Sequence, residues 1–217
     1  MARRMTGVER YTLEVARCLG SRLRVIRPSR AIQGPAGHLW EQLILPLHIT
    51  RAAVLWSPAN SGPVRVRRQV VSIHDLSPIE HPEWFRPSFA RLYRLLLPRL
   101  VARTRAVIVP SSYTKRRLLD CFPNAAYKVF VVPEGVDQAH FYPRERAEVE
   151  GLRLRRNLPE EYVLAVGSLQ PRKNLPGLLA VWESVQAKRP GLALVIAGAH
   201  GPQFRTPPLN ASTPGVR

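Results

Sequence analysis

Cysteine and long apolar runs are both scarce in this chain of 217 residues. The two cysteines, Cys18 and Cys121, lie far apart without CxxC spacing, which argues against a disulfide framework and a cysteine-based metal site. We expect two half-buried thiols in a reducing compartment. No apolar run approaches the ~18 residues that a spanning helix needs. The basic start, residues 1–4, leads into a polar helix-like stretch instead of a signal peptide's apolar segment, so we expect a cytoplasmic protein.

Lysine is scarce as well, with four residues among 33 basic ones, and arginine supplies the rest of a net charge of +18. This charge has three interpretations: a nucleic-acid surface, attraction to anionic lipid or phosphorylated substrates, and a solvated arginine-rich surface. The basic residues are spread along the chain, and no basic motif is interleaved with aromatic residues. Nucleic acid is therefore the least favoured partner, while peripheral contact with an anionic inner membrane face stays open.

Strands alternate with helices along the chain, which predicts an α/β fold with parallel sheets. The first helix begins at Gly7, and Leu39, Leu43 and Leu47 indicate another. Longer helices are predicted over 87–105, where Pro98 should cause a kink or a break, and over 113–121 and 175–188. Short apolar segments predict strands at 23–26, 54–56, 70–73, 106–109, 129–132, 162–166 and 192–197.

The composition changes after residue 143 and predicts a domain boundary there. Residues 144–157 are highly charged and read as a linker carrying a short helix. We therefore predict a first domain over 1–143 and a partial second domain over 158–201. Residues 202–217 are rich in Pro, Thr, Ser and Gly, so we expect a disordered tail.

Polar residues directly follow several predicted strands, where open α/β sheets bind their ligands. His74 and Asp75 follow the strand at 70–73, and Glu134 follows the strand at 129–132. A single histidine after a strand is more often structural than catalytic. The adjacent Asp75 and the strand-end position make the His74–Asp75 pair a candidate for catalysis.

Two further segments are candidates for phosphate binding. Gly7 opens the first helix, whose N-terminal N–H groups can hold an anion, although one glycine is also an ordinary way to start a helix. The loop 167–174 places Arg172 and Lys173 between a strand and a helix, starting at Gly167. Both cations suit a diphosphate, and a solvated basic loop is an equally good interpretation.

Five segments, in order along the chain, resemble motifs of the family 4 retaining glycosyltransferases. The resemblance extends from about Thr6 to Gly201, and the order of the motifs is more specific than any one of them. One departure is Glu134, where the family usually has Asn. The segments are Gly7-Val8-Glu9-Arg10-Tyr11-Thr12, Val71-Ser72-Ile73-His74-Asp75-Leu76 with His81-Pro82-Glu83-Trp84-Phe85, Val109-Pro110-Ser111-Ser112-Tyr113-Thr114-Lys115, Val132-Pro133-Glu134-Gly135-Val136-Asp137 and Val166-Gly167-Ser168-Leu169-Gln170-Pro171-Arg172-Lys173-Asn174.

The resemblance implies a GT-B-like fold: a Rossmann-like N-terminal domain with a parallel sheet, followed by the first β-α-β unit of a second Rossmann-like domain. It implies transfer of a mannosyl- or glucosyl-type sugar from a nucleotide-diphosphate-sugar, with retention, to a glycan or lipid-linked acceptor. No metal or other cofactor is expected. By this resemblance Gly167, Arg172 and Lys173 bind the donor diphosphate, Gly7 approaches it, and His74 lies near the transferred sugar with Asp75 beside it.

The same resemblance predicts that the second domain, which binds the donor in this family, is truncated, because the family's later pair of glutamates has no counterpart here. The alternative function is an inactive fragment that acts as a membrane-surface or protein interaction module.

Overall fold

The computed structural model describes residues 5–32, 34–199, 201 and 203–204. They fall into two compact units: one formed by the described residues up to Glu80 with Arg91–Gly135, the other by His81–Ala90 with the described residues from Val136 onwards. The domain limits predicted at residues 143 and 158 stay predictions.

The first unit contains a four-stranded parallel sheet, which confirms the predicted α/β class. The strands lie in chain order, and the register pairs Val71 with Val107 and Val107 with Val129. Val71, Val107 and Val109 are completely buried, as expected for a parallel sheet covered by helices. The strands are β1 (Leu55–Ser57), β2 (Gln69–Ser72), β3 (Ala106–Val109) and β4 (Val129–Val131).

Helices connect these strands at most of the predicted positions. Ser111 caps the fifth helix, since its hydroxyl accepts the N–H of Thr114 at 3.1 Å. The long fourth helix runs unbroken through Pro98, so the predicted alternative of a break there is wrong. At its end the buried Lys128 ammonium donates to two carbonyls, which stabilises the negative end of the helix. The helices are α1 (Gly7–Leu19), α2 (Pro35–Leu39), α3 (Ser77–Glu80), α4 (Pro87–Arg103) and α5 (Ser112–Cys121).

The helix predicted around Leu39, Leu43 and Leu47 is present in three different forms. After α2 the chain widens into a π-helical turn, Trp40–Ile44, and then tightens into a 3₁₀ turn, Leu45–His48. Helix type thus changes twice within one continuous segment.

Two predictions for the first unit are wrong. Residues 23–26 form no strand: they pair with no other strand among the described residues, and Val25 is 72% exposed. An extended segment without a neighbour has nothing to bond its backbone groups. Cys18 and Cys121, expected to be half-buried, are both exposed free thiols.

The second unit contains a β-α-β unit, as predicted. Strands β5 (Tyr162–Val166) and β6 (Ala193–Ala197) pair in parallel and are connected through α7 (Leu175–Lys188), which buries Trp182. The charged segment carries α6 (Arg146–Arg155), the short helix expected there.

Aromatic residues from distant parts of the sequence also meet in the second unit. The ring of Phe85 stacks on Phe89 at 5.4 Å and contacts Phe204 at 5.0 Å. Of the tail predicted at 202–217, only Gln203 and Phe204 are described, so the prediction of disorder concerns residues that lie outside the described part of the chain.

Candidate functional site

His74 lies at the carboxyl edge of the four-stranded sheet, one residue beyond the buried Ile73. The turn after β1 fixes its position, because Asn60 Oδ1 accepts the His74 N–H at 2.6 Å. The ring is held at both nitrogens: Nε2 lies 2.8 Å from the Pro58 carbonyl and Nδ1 lies 2.9 Å from Glu134 Oε1. A carbonyl only accepts, so Nε2 carries a proton.

Glu134 is the carboxylate that meets the His74 imidazole. It follows β4, while His74 follows β2, so the pair spans the end of β3, which lies between these strands. The 2.9 Å contact therefore joins the Nδ1 side of the ring to the carboxylate across the sheet edge. The Glu134 side chain is 48% exposed and that of His74 only 11%. Solvent therefore reaches the pair from the Glu134 side.

Tyr11 of α1 packs against this pair from the side. Its ring meets the His74 ring edge-on at 4.8 Å, and its hydroxyl lies 3.0 Å from Ser72 Oγ, which also accepts the Trp56 indole N–H. These groups surround a shallow depression at the strand ends, lined by Tyr11, Ser72, His74, Pro110, Val132 and Glu134.

Asp75 makes a local structural hydrogen bond beside His74. Its Oδ1 accepts the N–H of Ser77 at 3.0 Å at the start of α3. Asp75 also lies close enough to Tyr93 to influence it: burial first, then the charges of Glu41 and Asp75, hold the pKa of Tyr93 well above its usual range.

Gly7 is the first residue of α1, one turn before Tyr11. The helix start is a capping box in which Thr6 Oγ1 accepts the Glu9 N–H and Glu9 Oε2 accepts the Thr6 N–H. A Cβ built on Gly7 would meet no atom within 4 Å, so the backbone there is approachable.

Gly167, Arg172 and Lys173 belong to the second unit and lie on the loop between β5 and α7. Arg172 and Lys173 are exposed and occupy a 3₁₀ turn, Pro171–Lys173, directly before the N-terminus of α7. The Lys173 side chain lies over Gly167: a Cβ there would lie 3.0 Å from Lys173 Cε. Two cations thus stand beside the positive end of a 14-residue helix, an arrangement suited to an anion.

Gly198 fixes the base of this loop. A Cβ at Gly198 would overlap the carbonyl oxygen of Gly167, and hydrogen bonds hold both sides of the contact, Gly167 N–H to Ala197 and Leu169 N–H to Ala199, each 3.0 Å. Only glycine fits at 198 without moving backbone.

We expect Gly198→Ala to lower the stability of the β5–β6 pair by about 1–3 kcal/mol, because the backbone must shift to admit one methyl group. Amide hydrogen exchange of β5 measures this. Gly191→Ala is the matched control, since a Cβ there meets nothing within 4 Å. Equal exchange rates in the two variants would contradict the close contact.

Within the described residues, no group of three or more His, Cys, Asp or Glu side chains is placed to hold a metal ion. None of the described helices combines the length and apolar character that a membrane crossing requires.

Parts of the chain are similar to known proteins. Residues 43–140 match the family model Glycosyltransferase Family 4. The chain is 24% identical over 141 residues to O-antigen chain mannosyltransferase B of Escherichia coli, covering 64% of this chain and 37% of that protein. It is 33% identical over 117 residues to D-inositol 3-phosphate glycosyltransferase of Actinosynnema mirum, covering 50% and 27%. The chain thus spans about a third of the length of these relatives.

The parallel four-stranded sheet with its carboxyl-edge site is of the GT-B, Rossmann-like class. Residues 43–140 carry the match to glycosyltransferase family 4. The fold class and this match agree with what the sequence motifs predict.

Sequence reasoning placed His74 at the correct edge but gave Glu134 no role. Its position after a strand was visible in the sequence, whereas its pairing with His74 depends on the order of β2, β3 and β4. Asn60 was also missed; its left-handed conformation, with φ of 56°, occurs in a turn that the sequence Ser57-Pro58-Ala59-Asn60 signals.

Proposed function

We propose that this chain takes part in transferring a mannosyl- or glucosyl-type sugar from a nucleotide-diphosphate-sugar to a glycan or lipid-linked acceptor, with retention and without a metal. The observation that carries the proposal is the basic loop Gly167–Asn174 at the N-terminus of α7. It offers two cations and a helix end to a diphosphate, in a chain whose residues 43–140 match glycosyltransferase family 4.

In this proposal Arg172 and Lys173 neutralise the charge that develops on the leaving diphosphate. The guanidinium suits two oxygens of one phosphate, and the ammonium acts as a point charge. Gly167 lets the Lys173 side chain lie close to the loop. In the first unit, the backbone of Gly7 is proposed to approach an anion and the His74 ring to contact a sugar, with Asp75 holding the segment that follows.

The name of one relative supports a hexose as the transferred group, and the name of the other leaves the transferred sugar unstated. One is called a mannosyltransferase acting on an O-antigen chain, and the other a glycosyltransferase of inositol 3-phosphate. A glycan acceptor and a small phosphorylated acceptor are both compatible with the basic surface of this chain.

Incubation of the chain with radiolabelled GDP-mannose or UDP-glucose and a lipid-linked saccharide extract tests the proposal. We expect label in the saccharide fraction, the same anomeric configuration in product and donor by NMR, and no change on adding EDTA. Failure to transfer either sugar, by a preparation that binds neither donor, would contradict the proposed function.

One observation favours a second candidate function, a membrane-surface interaction module. The exposed side of α4 presents Leu95, Pro98 and Ala102 along its centre, with arginines beside them and no acidic residue on the helix. Long cationic side chains beside an apolar stripe suit an anionic lipid surface. This stripe is formed by Arg91, Arg94, Leu95, Pro98, Arg99, Ala102 and Arg103.

We therefore propose peripheral contact with the anionic inner face of a cytoplasmic membrane, compatible with transferase activity or independent of it. Binding of the chain to DNA or RNA more tightly than to anionic vesicles would favour the nucleic-acid interpretation instead.

A further inference from the structure

The π-helical turn Trp40–Ile44 directs two consecutive polar side chains to one loop. Glu41 Oε1 accepts the hydroxyl of Ser61 at 2.9 Å. Gln42 makes two bonds to the same loop: its Nε2 donates to the Gly62 carbonyl at 2.8 Å, and its Oε1 accepts the Val64 N–H at 3.0 Å. π-Helical turns are rare and occur frequently at functional sites.

The loop that Glu41 and Gln42 hold is also the loop that holds His74. Its first half supplies the Pro58 carbonyl to His74 Nε2 and the Asn60 side chain to the His74 N–H. Its second half, residues 61–64, carries the contacts with the π-helical turn. A shift of one half therefore moves the other, because only a few residues separate them.

The interior of the loop has little freedom of its own. Gly62 is buried so closely that a Cβ would overlap Gln69 Oε1 and lie 2.7 Å from Ser57 Oγ. Buried backbone groups need hydrogen-bond partners, and Gln42 supplies them for the Gly62 carbonyl and the Val64 N–H. The shape of the loop thus depends on a side chain from outside it.

Glu41 occupies a position that packing alone does not explain. Its Oε2 is buried and has no hydrogen-bond partner among the described residues, and His38 Nδ1 lies 3.9 Å away. A buried carboxylate oxygen without a partner lowers stability, so its presence beside the His74 loop calls for another reason.

We propose that Glu41 and Gln42 are positioning residues, which hold residues 58–64 so that the Pro58 carbonyl faces His74 Nε2 and fixes the protonated nitrogen and orientation of the ring. Fixing the ring leaves Nδ1 directed at Glu134 and at the depression beside it. The importance of this for sugar transfer rests on the proposed function, whereas the positioning itself is a property of the first unit.

Nitrogen-15 NMR of the histidine rings in the full chain tests the proposal, with the His74 signal assigned by its loss in His74→Gln. The main variant is Gln42→Met, which keeps the length of the side chain and removes both hydrogen bonds. We expect the His74 Nε2–H to exchange with water about tenfold faster or more, since two bonds that close the loop are lost. The ring nitrogen shifts should also move toward a mixture of tautomers. Glu41→Ala should act in the same direction.

Leu118→Ala is the structural control, because it opens a cavity at a completely buried site in α5, a helix that packs against β3 and β4. It should leave the His74 signals unchanged. Unchanged exchange in Gln42→Met, or an equal change in Leu118→Ala, would overturn the proposal. Because the measurement reads the ring and not transferase activity, an inactive chain would leave either result valid.

Discussion

Replacing Arg172 and Lys173 together by alanine should weaken the binding of GDP and UDP by about a hundredfold or more. A hydrogen bond to a charged group contributes roughly 1.5–3 kcal/mol, and the variant removes the two cations that the loop offers to a diphosphate. The N-terminus of α7 remains, so weak anion binding should persist. Isothermal titration with each nucleotide measures the change.

The control for this variant removes the same charge elsewhere in the second unit. Arg155→Ala with Lys188→Ala changes two exposed cations on α6 and α7 without touching the loop. It should leave the affinity within about twofold, as expected for distant surface charges that salt screens. Equal losses in the two double variants would mean that net charge, and not the loop, binds the nucleotide.

Changing the four exposed arginines of α4 to glutamine should remove most binding to anionic vesicles. Each basic residue near an anionic membrane contributes about 1 kcal/mol, so the loss should approach a thousandfold in the partition constant at low salt. Because Leu95 and its apolar neighbours are unchanged, we expect a small amount of vesicle binding that does not depend on salt. Co-sedimentation with vesicles of phosphatidylserine and phosphatidylcholine at increasing salt gives both quantities. The variant changes Arg91, Arg94, Arg99 and Arg103.

A control variant with the same net charge distinguishes the effect of the α4 stripe from the effect of the overall net charge of +18. Four exposed arginines outside α4 are changed to glutamine in this control, namely Arg22, Arg24, Arg146 and Arg155. If binding depends on the stripe, this control should keep most of its vesicle affinity. Equal loss in both would refute a defined docking surface, and no sedimentation by the unaltered chain at low salt would refute membrane contact altogether.

The elements that sequence predicted best are those whose local pattern and tertiary environment agree. Residues 106–109 are apolar and form an inner strand of the sheet with Val107 and Val109 completely buried, and 175–188 follow a Pro turn and bury Trp182, so both have the predicted bounds. Residues 23–26 have a similar apolar character but no strand beside them. Local sequence does not contain that information, because strand formation depends on a neighbour.

For the candidate site too, some features could be predicted from the sequence and others could not. The ends of β2 and β5 placed His74 and the Arg172–Lys173 pair on loops, because ligand-binding loops follow parallel strands. The pairing of His74 with Glu134, 60 positions apart, follows from the order of three strands. The contacts of Gln42 follow from a π-helical turn. Neither feature leaves a pattern in the sequence around these residues.

The proposed function depends most directly on whether the loop Gly167–Asn174 binds the diphosphate of a nucleotide-sugar. Titration of the nitrogen-15-labelled chain with GDP-mannose and with UDP-glucose, followed through backbone amide signals, measures this residue by residue. We predict saturating shifts at Gly167, Arg172, Lys173 and the first turn of α7, and shifts of the same signals on adding inorganic pyrophosphate alone. Shifts only outside this loop, or no shifts at millimolar donor concentration, would contradict the proposed binding of the donor diphosphate by the loop.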